Sequence, residues 1–226
     1  MDTPSIVVVM LATKEIEAYA AHTSGNWQAY CQRHGYQFER VLKASLTDMH
    51  VYWSKVACLI EKLEQGQHDW VFVVDADTVV HRMEITLESL IERWAPTPQT
   101  HVLISEDCSR RFGLPFPLSF KTMVFSRTLR GANSGFFGFR VSDLGREIAA
   151  RWLELGRTTY AQFAYEAPHE QAVFWLGIQQ PYRQHIQVIG RDVLRIGGNP
   201  LLDRLCTDTS QAFVLHDKQL KQRDAA

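Results

Sequence analysis

A chain of 226 residues with 46% hydrophobic content is long enough for one large α/β domain with a continuous core. Its formal net charge of -1, with Lys and Arg scattered rather than clustered, speaks against a general electrostatic attraction to nucleic acid or anionic membrane, so any polyanion has to be bound locally. Cys31, Cys58, Cys108 and Cys206 form no CxxC pair, which argues against a zinc knuckle or disulfide scaffold and for reduced thiols.

The chain opens on the acidic Met1-Asp2-Thr3-Pro4 and runs into an apolar stretch with no basic n-region and no small-residue cleavage site, so residues 6–11 read as a first strand. No apolar stretch approaches the roughly 20 residues that span a bilayer, and the expectation is a soluble, cytoplasmic protein. A helix is predicted over 15–34, with Trp27, Tyr30, Cys31 and His34 on one face, Gly25 weakening its middle and Gly35 as C-cap. Residues 36–42 alternate like a strand. A second helix follows Thr47 or Asp48 as N-cap, buries Trp53, Val56, Ala57, Ile60 and Leu63, and ends at Gly66. Next come an apolar strand over 70–75, an amphipathic helix over 84–94, a proline-rich break at 95–98 and a strand over 102–105. Strand and helix thus alternate through the first half, which argues for βαβ units and a mostly parallel sheet. In the second half, Pro115 and Pro117 place a loop over 113–118, and 132–140 reads as a turn entering an aromatic strand. Helices are predicted over 141–155 and 169–176, short strands over 186–189 and 212–215, and the chain ends in a polar tail.

The chemistry concentrates where apolar runs meet polar residues. Trp70-Val71-Phe72-Val73-Val74 delivers Asp75-Ala76-Asp77 to the C-terminal edge of a buried strand, which is where open α/β sheets bind ligands. Two carboxylates one residue apart can both reach a hard divalent cation, and the cation can hold phosphate oxygens; the plain alternative is that they terminate a core strand. Phe213-Val214-Leu215 brings His216 to a strand end in the same manner, and its imidazole could join the two carboxylates in a mixed oxygen and nitrogen site suited to manganese or magnesium. Asn133-Ser134-Gly135 supplies an amide, a hydroxyl and exposed backbone, either for sugar hydroxyls or a pyrophosphate or as an ordinary β-turn. His169-Glu170-Gln171 opens a helix as a cap or as part of a site; it is not HExxH, because Val173 stands where the second His would be. Lys55 reads as a snorkelling surface lysine or a phosphate contact. Lys218 and Lys221 read as a solvated tail or as partners of a diphosphate. Phe112, Phe116, Phe120, Phe136 and Phe137 are core residues or an acceptor platform.

In order, the strand over 6–11, Tyr30-Cys31 with His34-Gly35-Tyr36, Trp53-Ser54-Lys55, Asp75-Ala76-Asp77, Asn133-Ser134-Gly135, His169-Glu170-Gln171 and His216 resemble GT-A glycosyltransferases. The resemblance covers nearly the whole chain and is to the galactosyl-, mannosyl- and xylosyltransferase family that includes fungal α-galactosyltransferases and plant xyloglucan xylosyltransferases. It implies a Rossmann-like, mixed but mostly parallel sheet flanked by helices, in a single domain over 1–226. Within it a nucleotide-binding half would span about 1–110, a donor-sugar and acceptor half about 111–216, and the tail 217–226. It implies a nucleoside-diphosphate sugar donor, a glycan, lipid-linked or small acceptor, and Mn²⁺ (or Mg²⁺) held by Asp75, Asp77 and His216. Leu11, Ala12 and Thr13 would line the base pocket, Lys55, Lys218 or Lys221 would approach phosphate, and Asn133, Ser134 and Gly135 would face the donor sugar. Gln171, with Glu170 and Asn133 beside it, would sit near the anomeric carbon of a retaining reaction with a front-face, oxocarbenium-like transition state. Two positions depart from the pattern: Ala76 stands where Ser is frequent, and His169-Glu170 where an acidic pair is common.

Asp75-Ala76-Asp77-Thr78-Val79 also matches the nucleophile signature of haloacid-dehalogenase-like phosphatases, with Asp75 attacking phosphorus and Asp77 as general acid and base. That motif belongs on the first strand of its domain, whereas two strands and two helices precede it here, and the downstream acidic metal motif is missing. A non-catalytic nucleotide-sugar binding module is the third reading.

Overall fold

The computed structural model describes residues 3–106, 132–190, 193–197 and 212–217. Two apolar runs, Ile6–Leu11 (β1) and Trp70–Asp75 (β3), lie side by side in parallel inside a six-stranded sheet, buried on both faces as their lack of polar alternation requires. Gln37–Val41 (β2) adds outside β1, also in parallel. On the other side Ala132–Arg140 (β6) runs antiparallel to β3 and to Val102–Glu106 (β5), and Ile186–Ile189 (β7) pairs with β5 in parallel. The order is β2-β1-β3-β6-β5-β7, a mixed and mostly parallel sheet with one reversed strand. A second, three-stranded sheet pairs Thr78–Val80 (β4) with Val214–Asp217 (β9), and β9 with Leu194–Gly197 (β8).

Successive side chains of a strand point to opposite faces, and each face carries its own core. Val7, Val9, Val71, Val73, Phe137 and Phe139 pack with helices Ser54–Gln65 (α2) and Asp143–Arg157 (α4). Ile6, Val8, Met10, Trp70, Phe72, Val74 and Phe136 pack with Glu17–His34 (α1) and Leu87–Trp94 (α3). Each such fully buried side chain contributes roughly 1.5–3 kcal/mol. Gly35 and Gly66 end α1 and α2 in the left-handed conformation, as their places in the sequence predict. The thiols of Cys31 and Cys58 are unpaired and buried, and burial pushes them up to about 12 and about 11, so both are inert at neutral pH. No helix among the described residues is long and apolar enough to cross a membrane.

Several boundaries differ from the sequence reading, each for a local reason. His50, not Thr47 or Asp48, caps a 3₁₀ turn Val51–Trp53 that leads into α2, its ring nitrogen accepting from the Tyr52 N–H. Thr86 caps α3, its hydroxyl accepting from the Ser89 N–H, so the helix starts later than residue 84. The helix at His169–Val173 (α5) passes into a π turn, Phe174–Ile178. β9 begins two residues later than residue 212, which puts His216 within the strand rather than after it. β4 and β8 are too short to show a period in the sequence. The predicted loop over 113–118, Phe112, Phe116, Phe120, Cys108, Cys206, Lys218 and Lys221 lie outside the described residues.

The correction that matters most concerns Asn133-Ser134-Gly135. These residues do not form a turn before β6; they lie within it, Asn133 still paired with β5 and Ser134 and Gly135 in a bulge. The register against β5 pairs Ile104 with Phe137 and then Ser105 with Asn133, leaving Ser134, Gly135 and Phe136 as the extra residues. The ladder with β3 stops at Phe136 opposite Val74. Backbone groups released from the ladders must find other partners, and they find them in the side chains of Lys55, Gln171 and Asn133.

Candidate active site

Asp75 is the last residue of β3 and is paired in register with Leu11, the last residue of β1. Ala12 follows, fully buried, its N–H donating to the Val41 carbonyl at 2.8 Å, and Thr13 leads into a short 3₁₀ turn. The three residues assigned to a base pocket therefore lie on the same sheet edge as the two acids.

The turn after Asp75 is fixed by one face of α1. Thr23 donates to the Ala76 carbonyl at 2.6 Å, and the Trp27 indole donates to the Thr78 carbonyl at 3.1 Å. The Asn26 carboxamide accepts from the Val80 N–H at 2.7 Å and donates to the Val80 carbonyl at 3.1 Å, filling the place of a neighbouring strand. Tyr30 donates to the Ile85 carbonyl at 2.7 Å. Spaced i, i+3, i+4 and i+7, these four share a helix face. The Thr78 hydroxyl closes the turn on the Asp75 carbonyl at 2.6 Å. Within this frame Ala76 and Asp77 are buried, Asp77 at 2% exposure. β4 then sets Thr78 opposite His216 on β9, so the backbone carries His216 alongside the residue that follows Asp77.

On the other side of Asp75 stands an ion-pair group. Lys55, in the first turn of α2, is 6% exposed and so is no snorkelling surface lysine. Its ammonium lies 2.8 Å from Asp75 Oδ1, 2.9 Å from Glu170 Oε1 and 3.0 Å from the Ser134 carbonyl oxygen. Burial alone would lower its pKa, but the carboxylates of Asp75 and Glu170 outweigh burial and raise it, so the lysine is charged. The Ser134 hydroxyl donates to Glu170 Oε1 at 2.8 Å, and the Ser134 N–H, freed by the bulge, donates to Gln171 Oε1 at 3.2 Å. The Gly135 N–H is taken by Asn133 Oδ1 at 2.8 Å. Glu170 Oε2 is buried and has no hydrogen-bond partner among the described residues.

Two indoles hold the frame of this group. Trp152 donates to the Glu170 carbonyl at 2.8 Å, and Trp175 to the Ala132 carbonyl at 2.6 Å. His169, just before Glu170, has φ 50, a left-handed conformation costly for a residue with a Cβ. Its ring is stacked on His50, and burial, then His50 and Lys55, push its pKa down to about 4.

The structure thus brings Lys55, Asp75, Asn133, Ser134, Gly135, Glu170 and Gln171 together, with Leu11, Ala12, Thr13, Ala76 and Asp77 adjoining and His216 placed by register. Phe136 and Phe137 are fully buried, one in each core, and cannot form an acceptor platform. The roles of Thr23, Asn26, Trp27, Trp152 and Trp175 escaped the sequence reading. Their one signal was polar atoms on otherwise buried helix faces, such as Thr23 and Asn26 beside Trp27.

The family model of the galactosyl transferase GMA12/MNN10 family matches residues 2–182. An α-1,2-galactosyltransferase of Schizosaccharomyces pombe is 23% identical over 175 residues, covering 68% of this chain and 46% of its own length, so the chain spans less than half of that relative. Among solved structures, a glycosyltransferase involved in glycosylating the major capsid of PBCV-1 superimposes with a TM-score of 0.73 at 16% identity, over 98% of both chains. The galactosyltransferase LgtC, in complex with donor and acceptor sugar analogues, gives 0.56 at 13% identity over 94% of this chain and 87% of its own. Mouse xyloside xylosyltransferase 1 gives 0.55 at 12% identity over 95% and 98%. At such identities these structures establish the GT-A glycosyltransferase fold.

Proposed function

Since the chain belongs to the galactosyl transferase GMA12/MNN10 family, we propose that it transfers a hexose or pentose from a nucleoside-diphosphate sugar to an acceptor hydroxyl, with retention of configuration. The observation that carries this reading is the junction at Asp75. One side of it is a turn that α1 clamps through its main chain and that carries Asp75 and Asp77; the other is a buried group with polar atoms to orient a sugar.

Asp75, Asp77 and His216 would hold a divalent cation. Two carboxylates one residue apart, together with a histidine whose backbone pairs with Thr78, are a set of residue types that suits Mn²⁺ or Mg²⁺. Such an ion, when bound, supplies Lewis-acid stabilisation of the departing diphosphate. Leu11, Ala12 and Thr13 would line the base pocket. Glu170 Oε2, a buried acceptor with no partner among the described residues, is suited to a donor-sugar hydroxyl, which would satisfy it. Lys55 keeps Glu170 Oε1 and Ser134 in place, so its main task is to orient these groups, with any phosphate contact secondary. The Ser134 N–H fixes the Gln171 carbonyl oxygen and with it the side chain beside the anomeric carbon. In the transfer, the bond from the anomeric carbon to the diphosphate oxygen breaks with its electron pair leaving on the diphosphate. The acceptor oxygen bonds to the same face of that carbon, and its proton passes to the leaving diphosphate.

The decisive measurement is nucleoside diphosphate release from a panel of UDP- and GDP-sugars, with and without Mn²⁺, by wild type and Asp77→Ala. Release from one donor that needs both metal and Asp77 is expected. Metal-dependent cleavage of a simple phosphate ester that fails in Asp75→Asn, with no donor consumed, would replace this reading with a phosphatase.

A further inference from the structure

Three rings stand beside Glu170 and take no part in the ion-pair group. The imidazoles of His50 and His169 lie face to face, with centroids 4.1 Å apart and planes 9° from parallel. Tyr52 is edge-on to both, at 4.6 Å from His50 and 5.1 Å from His169. His169 is buried, whereas Tyr52 is 48% exposed. The His50 N–H donates to the Ala164 carbonyl, and the next residue, Tyr165, is 64% exposed. Leu42, Tyr52 and Tyr165 are the large hydrophobic side chains left exposed among the described residues, so two of the three flank this one link.

A single exposed tyrosine needs no explanation. Tyr52 differs because its ring is fixed by a pedestal of two imidazoles, one belonging to a residue held at left-handed φ immediately before Glu170 and Gln171. Strain of that kind persists only where the surroundings impose it. Burial, first of all, pushes the His169 pKa down to about 4, so at neutral pH that ring of the pedestal is an uncharged aromatic surface. A rigid, half-exposed aromatic ring with a polar tip suits a ligand with an apolar face and a polar rim, and that describes a pyranose ring.

We propose that Tyr52, seated on His50 and His169, is the surface on which a pyranose ring of the acceptor stacks. Of the acceptor classes left open above, this selects a glycan or glycoside over an acceptor with no sugar ring. The inference rests on the transferase reading and is separable from it by experiment.

The test compares wild type, Tyr52→Ala and Tyr52→Trp on the full chain, using the donor found by the nucleotide-sugar panel and p-nitrophenyl glycosides of glucose, galactose and mannose as acceptors. KM for donor and for acceptor are measured separately. Tyr52→Ala is expected to raise the ratio of acceptor KM to donor KM about tenfold, and Tyr52→Trp to restore it. Melting temperature is followed in parallel, since a merely structural role for Tyr52 would lower it without changing that ratio. An unchanged ratio in Tyr52→Ala, or wild-type protein that hydrolyses the donor and transfers to none of the glycosides, overturns the acceptor surface alone. Wild-type protein that releases no nucleoside diphosphate from any donor overturns the transferase reading and this inference together.

Discussion

The two regions that meet at Asp75 are held by opposite means. The turn over 75–80 is fixed by neutral side chains of α1 donating to, and in one case accepting from, main-chain groups. The group around Glu170 is fixed by charge, with one ammonium shared between two carboxylates in a nearly dry place. Neutral clamps on the main chain set where Asp75 and Asp77 stand without using their carboxylates. The charged group sets side-chain positions, and any change of charge there is felt at once, because low local dielectric strengthens each interaction and raises the cost of losing a partner.

The largest effect is therefore expected at Lys55. Lys55→Met leaves two carboxylates facing each other with no cation, a loss of about 3–5 kcal/mol by analogy with broken buried pairs. Adding Glu170→Gln removes the repulsion, so the double variant should recover a substantial part of that loss. Urea denaturation of the two single variants and the double variant measures the coupling. If Lys55→Met costs less than about 1 kcal/mol, or the double variant recovers nothing, charge is not what holds this side.

A smaller effect separates the regions by pH. The His169 pKa is pushed down to about 4 in the folded protein, below its ordinary 6.5, by burial and then by His50 and Lys55, with Tyr52 packed edge-on against both imidazoles. Between these values the unfolded chain binds the proton and the folded one does not. Stability present at pH 7 is accordingly lost as pH falls from 6.5 toward 4, by at most about 3 kcal/mol. His169→Asn removes the titration and tolerates left-handed φ better than His does. Its denaturation midpoint should vary less between pH 7 and pH 5 than that of wild type. A wild-type midpoint that is flat over this range would count against the buried neutral imidazole.

Much of the charged region was legible in the sequence and little of the neutral one was. Asp75, Asn133, Ser134, Glu170 and Gln171, and Asp77 in the adjoining turn, stand out because polar residues next to buried strands and helix starts are unusual and few. The alternation of strand and helix gave the parallel half of the sheet. The reversal of β6 and its bulge were not legible: Asn133-Ser134-Gly135 has turn chemistry, and only the neighbouring strands decide whether it ends a strand or bulges within one. Lys55 was ambiguous because a lysine between apolar residues on a helix is ordinarily a surface residue, and the partners that bury it come from β3, β6 and α5. The α1 clamp was hidden for a different reason. A helix face is read by its apolar period, and Thr23 and Asn26 look like interruptions of that period until the main chain they bind is known.

Asn26 gives the smallest stability effect and the sharpest test of the neutral region. Asn26→Ala deletes two hydrogen bonds to Val80 and leaves the N–H and carbonyl of this buried residue without those partners, a loss of about 1–2 kcal/mol. If the clamp's purpose is to place the Asp75 turn, and through β4 the strand carrying His216, Mn²⁺ affinity should fall more than stability alone explains. Electron paramagnetic resonance of free Mn²⁺ at a temperature where the variant is fully folded reads this without any substrate. The charged side should be untouched, because Lys55, Ser134 and Glu170 share no hydrogen bond with α1 among the described residues. A variant that loses stability and keeps its Mn²⁺ affinity would reduce α1 to ordinary scaffolding, and the contrast between the two sides of Asp75 would then be one of construction and not of purpose.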